Sequence, residues 1–361
     1  MRQLSAIDAI GPAWNHTQRL LLAPRRWTLL FKIGLVAVFA GVGGFGGSFG
    51  RGGNNFSNMG HTHNPSYSWP PQMMSALVAV AALAIFLVIA FFILGLILFY
   101  IGSRLQFVLF EVVLRNDTTI APIWNRYGAA TWRWIGLRLA VILATLVCIA
   151  PVLIPAIIRF IHALPHHGEP PQHLAAFFLS FLGLFATIFF VALLFGIVHV
   201  LLHDFGLPSM ALESTTLDET VRRVVRLVRA EPGQSLLYLV MRLLLNIAGS
   251  LCASFAIGLS ALLALIPFGG VALVDWLVLH NAGMGGKVIM IAGLALLGVL
   301  YLALLFIAII SVMGYVGTFL QAYALYFLGG RYPLVGAYLE PFLPPPVTYY
   351  PPAAYGLPPT P

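Results

Sequence analysis

Six continuous apolar runs divide this chain, at about residues 27–45, 73–102, 134–160, 174–203, 236–266 and 288–317. A helix needs about 20 apolar residues to cross the hydrocarbon core of a bilayer, and each run is near or above that length. The runs are unbroken rather than alternating in polarity over ten-residue stretches, which favours helices over a barrel. Only 8% of the 361 residues are charged and 60% are hydrophobic, whereas a water-soluble domain carries roughly a quarter charged residues. The expected fold class is all-α integral membrane, with six transmembrane helices.

The basic residues set the expected orientation. Of the 19 Lys and Arg, all but Arg51, Arg159 and Lys287 lie in the N-terminal segment, the second and fourth connections, the C-terminal end, or the helix ends beside them. Such residues accumulate on the cytoplasmic side, so multi-pass insertion into the cytoplasmic (inner) membrane with both termini cytoplasmic is expected. The net charge of +8 is then chiefly a topological signal that also attracts anionic lipids of the inner leaflet, and nucleic-acid binding is not expected. The first 26 residues carry Arg2, Arg19, Arg25 and Arg26 without an early apolar stretch, so the segment near 27–45 is expected to act as an uncleaved anchor.

An internal repeat organises the runs. Ile10-Gly11-Pro12-Ala13-Trp14-Asn15 returns as Ile120-Ala121-Pro122-Ile123-Trp124-Asn125, each copy just upstream of a long apolar segment. Entering the odd-numbered spans, the chain shows Lys32, then Trp134 with Arg138, then Tyr238 with Arg242. The even-numbered spans are followed by Phe107-Val108-Leu109, Phe205-Gly206-Leu207 and Tyr323-Ala324-Leu325. These correspondences predict a single membrane domain over 1–340, built of three helix-pair units at about 5–115, 117–214 and 216–330, each preceded by a cytoplasmic amphipathic helix. Residues 341–361, rich in Pro and Tyr, are expected to be a disordered cytoplasmic tail, with docking into an aromatic groove as the alternative.

The third amphipathic helix is the most sharply written. Thr216-Leu217-Asp218-Glu219 reads as a capping box. Leu217, Val221, Val224, Val225 and Val228 then share one face, while Arg222, Arg223, Arg226 and Arg229 share the other. Pro232 and Gly233 end it. Such a helix can lie among inner headgroups with its arginines toward phosphate, or it can simply cover the ends of the bundle. Trp14 and Trp124, at equivalent points of the first two copies, read as interfacial anchors. The even-numbered spans exceed what a bilayer requires, so they tilt or, the preferred reading, run on to meet the amphipathic segments. Small residues of the fifth span, including Gly249, Ala253 and Gly258, are expected to allow close helix approach.

Reactive residues offer less. His61, His63, His166, His167 and His173 fall on or beside expected outer loops and could gather around a borderline metal, though histidines that merely solvate a loop give the same pattern. His199 and His203 share a helix face next to Asp204, but rings and a carboxylate at a membrane boundary more often mark the water interface. Asp275 and Lys287 are placed in the third outer loop as interfacial groups. Cys148 and Cys252, each ten residues beyond a matching Arg-Leu pair, are expected to be buried thiols. The glycine-rich stretch within 41–72 ends a span instead of joining a strand to a helix, which excludes a dinucleotide loop. Nor is there a nucleophile elbow, a Walker lysine or an acidic residue in the middle of a span.

The Ile-x-Pro-x-Trp-Asn pattern before a span and Asp204-Phe205-Gly206-Leu207-Pro208-Ser209-Met210 after one resemble uncharacterised six-span bacterial proteins, similar to the membrane domain of glycerophosphoryl diester phosphodiesterases. The resemblance covers most of residues 8–330 and implies a membrane module. In those enzymes a separate barrel hydrolyses the substrate through a His-Arg pair and acidic metal ligands; this chain has neither barrel nor His-Arg pair. The expected function is non-enzymatic and needs no cofactor: a scaffold or lipid-interacting module, with a protein partner at the cytoplasmic helices or tail as a further expectation. The alternative is a permease or channel-like transporter of a small solute or metal ion, since many transporters arose by duplication.

Overall fold

The computed structural model describes residues 3–22, 27–41, 71–116, 119–162, 172–279 and 283–340, and among them every regular element is helical. Two short helices come first, α1 (Ile10–Leu21) and α2 (Trp27–Ala40). The long α3 (Pro71–Arg115) leads through the short α4 (Ile120–Arg126) into α5 (Gly128–His162). Next, α6 (Gln172–Leu201) passes through a π turn at Leu202–Gly206 into α7 (Leu207–Leu212). The amphipathic α8 (Leu217–Ala230) precedes α9 (Pro232–Leu279), α10 (Met284–Gly329) and the short α11 (Pro333–Leu339).

Five helices are long and apolar enough to cross a membrane, namely α3, α5, α6 with its continuation, α9 and α10. The sixth expected span, the first in the chain, corresponds to α2, whose 14 helical residues make about 21 Å at 1.5 Å each. Asp275 and Lys287 lie inside α9 and α10 rather than in a loop between them. In the most apolar 18-residue stretches of α3, α5 and α6 no residue is buried against protein. Side chains such as Phe86, Leu143 and Leu182, each about 60% exposed or more, suit a lipid environment rather than water.

The core gathers instead at one end of the bundle, where α3, α6 and α10 run past their apolar stretches and converge. Residues 105–114 of α3, 202–210 around the π turn and 320–329 of α10 are buried almost without interruption. A helix surrounded on one side buries every third or fourth residue; burial of consecutive residues means neighbours on all sides. Those neighbours are the short helices: α1 and α11 pack on α10, α4 on α3, and α8 on the π turn. The aromatic exits Phe107, Phe205 and Tyr323 thus form the interior of this converging end.

Candidate functional site

A wholly buried acid–base cluster lies at the centre of the converging end. The π turn inserts an extra residue into α6, a device that recurs at functional sites, and here it coincides with Asp204, which is 1% exposed. Tyr238 donates to Asp204 Oδ2 at 2.5 Å, and Arg242 reaches both carboxylate oxygens, Nε to Oδ2 at 3.1 Å and Nη2 to Oδ1 at 3.3 Å. His203 Nδ1 lies 2.8 Å from Oδ1. Arg242 Nη1 donates to the Leu320 carbonyl at 2.6 Å, which ties α9 to α10 as well as to α6. The Tyr238 ring is sandwiched among Tyr323, Phe327 and Phe205, with centroids at 5.4, 4.5 and 5.1 Å. Asp204 is therefore no marker of the water boundary: its charge is neutralised deep in protein.

A second junction repeats the plan with neutral groups. Trp134, 1% exposed, donates its indole N–H to Gln106 Oε1 at 2.7 Å, and Gln106 Nε2 donates to the Ala40 carbonyl at 2.7 Å. Four residues after Trp134, Arg138 donates to Ser103 Oγ at 3.3 Å. The two junctions meet where the Trp134 ring lies edge-on to His203, centroids 6.1 Å apart. His199 is one turn from His203, at 6.3 Å between centroids. Asp204 and Gln106 thus hold the two junctions together through hydrogen bonds to neighbouring helices.

The amphipathic α8 packs over the π turn from outside. Thr216 caps it, accepting the Glu219 amide at 3.4 Å, as the capping-box pattern predicts. A Cβ on Gly206 would come 3.0 Å from Thr220 Cγ2, so the bare glycine lets α8 approach the turn closely. Only part of the apolar face is used for this. Thr220 and Val224 are buried, while Leu217, Val221 and Val225, one turn apart along a row, are exposed. That row borders the start of α5, where Arg133 Nη1 donates to the Ser214 carbonyl and Leu217 touches the Gly136 position.

The four arginines of α8 divide into pairs. Arg222 bridges to Asp218 in the open, and Arg223 donates to Glu213 at 2.6 Å. Tyr332 donates to the same Glu213 at 2.6 Å, and the two hydrogen bonds hold that carboxyl below its ordinary range, so it stays ionised and fastens α8 to the entry of α11. Arg226 and Arg229 have no ion pair or hydrogen bond among the described residues. Arg226 faces a cleft of about 510 Å³ between α8, the N-terminal segment and the α10–α11 turn, lined also by Arg223, Arg331 and Tyr332 and by the acids Glu213 and Glu231.

Of the two tryptophans expected as anchors, Trp14 is 44% exposed and lies edge-on to Tyr315 and Phe319 of α10. Trp124 covers Arg104, whose guanidinium sits 4.5 Å from the indole centroid while Nε and Nη2 donate to the Trp124 carbonyl. Cys148 and Cys252 are exposed on the lipid-facing sides of α5 and α9, contrary to the expectation of buried thiols; hydropathy cannot tell an apolar protein interior from lipid. His61, His63, His166 and His167 lie outside the described residues, as does the side chain of His173, and no metal-binding group of three ligating residues occurs among the described ones. Glu111, not singled out in the sequence, is buried on α3 and pairs with Arg126 and Arg115, fixing α4 and the end of α3 together. Its signal was the spacing Glu111 to Arg115, an i,i+4 pair on one helix.

A family described as of unknown function (DUF7544) matches residues 4–337. No curated protein and no solved structure matches the chain.

Proposed function

The chain belongs to that family of unknown function, and from its geometry we propose that it is a non-enzymatic multi-pass protein of the cytoplasmic membrane, a scaffold or lipid-interacting module that presents α8 to the inner leaflet. One observation carries this reading: the row Leu217, Val221 and Val225 stays about 40% exposed beside Arg222, Arg226 and Arg229, while only Thr220 and Val224 of the helix are buried. An apolar edge at acyl depth with cations at phosphate depth is the arrangement of an interfacial helix. The converging end carries most of the basic residues and the far end Arg159 and Lys287, which supports a cytoplasmic position for the converging end. The matched contacts of Trp134 with Gln106 and Tyr238 with Asp204 support three repeated units, each entering span docking on the preceding unit's exit.

Replacing Arg222, Arg226 and Arg229 together by Gln, with Arg223 kept for its bond to Glu213, is expected to lower the anionic lipid retained on gentle purification, or to release a co-purifying polypeptide. Lipid content is measured by mass spectrometry against phosphatidylethanolamine as the zwitterionic reference. Unchanged retention of lipid and of any partner would remove this reading. Transport is the second reading, favoured by the ionisable Asp204 cluster within the bundle. Saturable solute flux into proteoliposomes of the wild-type chain, absent from protein-free liposomes, would establish it in place of the first.

A further inference from the structure

Arg138 and Arg242 occupy matching positions, each four residues after a buried aromatic side chain that donates its polar hydrogen to a neighbouring helix. Arg242 is neutralised by Asp204. At the other junction the acceptor is Gln106, which carries no charge, so Arg138 has no counter-ion there. Its only hydrogen bond among the described residues is the 3.3 Å contact with Ser103, and its guanidinium otherwise lies against the faces of Phe99 at 5.3 Å and Trp134 at 5.9 Å.

A second cation without an ion pair among the described residues lies one residue beyond the Ser103 that Arg138 contacts. Arg104 follows Ser103 on α3, and its hydrogen bonds go to the Trp124 carbonyl and the Tyr100 hydroxyl, both neutral. Two guanidiniums thus share the α3–α5 junction without an acidic partner among the described residues. Both are half-buried, at the end of two apolar spans, where an unpaired charge is expensive to hold. The junction is open on the lipid side: Trp132 is 66% exposed and Leu139 54%, and the exposed face of α5 continues through Leu143, Leu146 and Val147.

We propose that the α3–α5 junction binds the phosphate group of a membrane phospholipid, with Arg138 as the principal contact, Arg104 beside it, and the acyl chains along the exposed face of α5. Guanidinium forks match phosphate oxygens, and a lipid phosphate supplies the negative charge that Asp204 supplies at the matching position. This site is separate from α8 and stands whether or not the α8 reading holds.

The test titrates defined lipids into the delipidated full chain in detergent and reads bound species by native mass spectrometry. Phosphatidylglycerol is expected to bind tightly and diacylglycerol of the same chains weakly; equal affinities would overturn the proposal without any variant being needed. Arg138→Gln is expected to weaken the tightest phosphatidylglycerol site about tenfold or more, as for loss of one charge-assisted hydrogen bond, and Arg138→Lys to weaken it less. Equal binding by R138Q and the wild type would also overturn it. The α8 triple variant is expected to leave this tightest site unchanged, which separates failure here from failure of the α8 reading. Displacement of the lipid by inorganic phosphate at equal concentration would assign the site to a soluble anion instead and reject the phospholipid.

Discussion

Both carboxylate oxygens of Asp204 are engaged, by Tyr238, His203 and Arg242, in surroundings that exclude water. Removing one member of such a pair strands the other, at a cost of about 3–5 kcal/mol, whereas removing both together costs far less than the sum. Asp204→Asn and Arg242→Met should therefore each lower the thermal unfolding midpoint in detergent sharply, and the double variant should recover part of the loss. Simple additivity in the double variant would show that the two residues do not act as a unit. This pairing was not legible in the sequence, because Tyr238 and Arg242 follow Asp204 by 34 and 38 residues and nothing local distinguishes a buried carboxylate from one at the water boundary. The Thr216 cap was legible for the opposite reason: its partner is three residues away and its geometry is fixed by the helix itself.

Among the described elements, α2 and α10 cross with their backbones in close contact. A Cβ on Gly34 would stand 2.5 Å from the Ile310 carbonyl oxygen, and one on Gly314 would fall on the Gly34 backbone. Gly34→Ala must push the two helices apart and is expected to destabilise the protein by about 1–3 kcal/mol, as overpacking does. Gly183→Ala on α6, where no atom lies within 4 Å of the new methyl, should be neutral or slightly stabilising through helix propensity. Equal unfolding midpoints for the two variants would argue against the tight crossing. The same contrast explains what sequence reading achieved at α9. Small residues there were expected to admit neighbours, and Gly249 does face Val316 and Ala253 is buried, but Gly258 meets nothing. Composition reveals which positions can be approached; the partner helix decides which ones are. On α8, likewise, periodicity located the apolar face, while the fraction of it covered depended on how the π turn and α5 sit beneath.

For the molecule as a whole, the apolar faces of the spans are expected to be dry. Cys148 and Cys252 lie on those faces beside Val147 and Leu251, which are 67% and 70% exposed. In proteoliposomes both thiols should react with an uncharged, lipid-soluble maleimide and resist a charged one. Comparable labelling by the charged reagent would mean that water reaches these faces, and would favour a solute path over the lipid-interacting reading. The apolar runs made the membrane class legible from the start, since helices are the way such runs satisfy their backbone in lipid. They gave no sign that the packed core would collect beyond them, because the converging end is assembled from segments at residues 10–21, 105–114, 202–210 and 320–339, far apart along the chain.

That uneven placement of the core separates two mechanical roles. The converging end holds the fold together through buried rings and ion pairs, whereas α6 packs mainly on α5 and leaves most of its length to lipid. In a bilayer, the spread of the spans is therefore expected to respond to acyl-chain packing as well as to protein contacts. A thicker bilayer or higher lateral pressure can close or open the distance between the α5–α6 hairpin and its neighbours at little cost in folding free energy, while the α8 surface at the base keeps its shape.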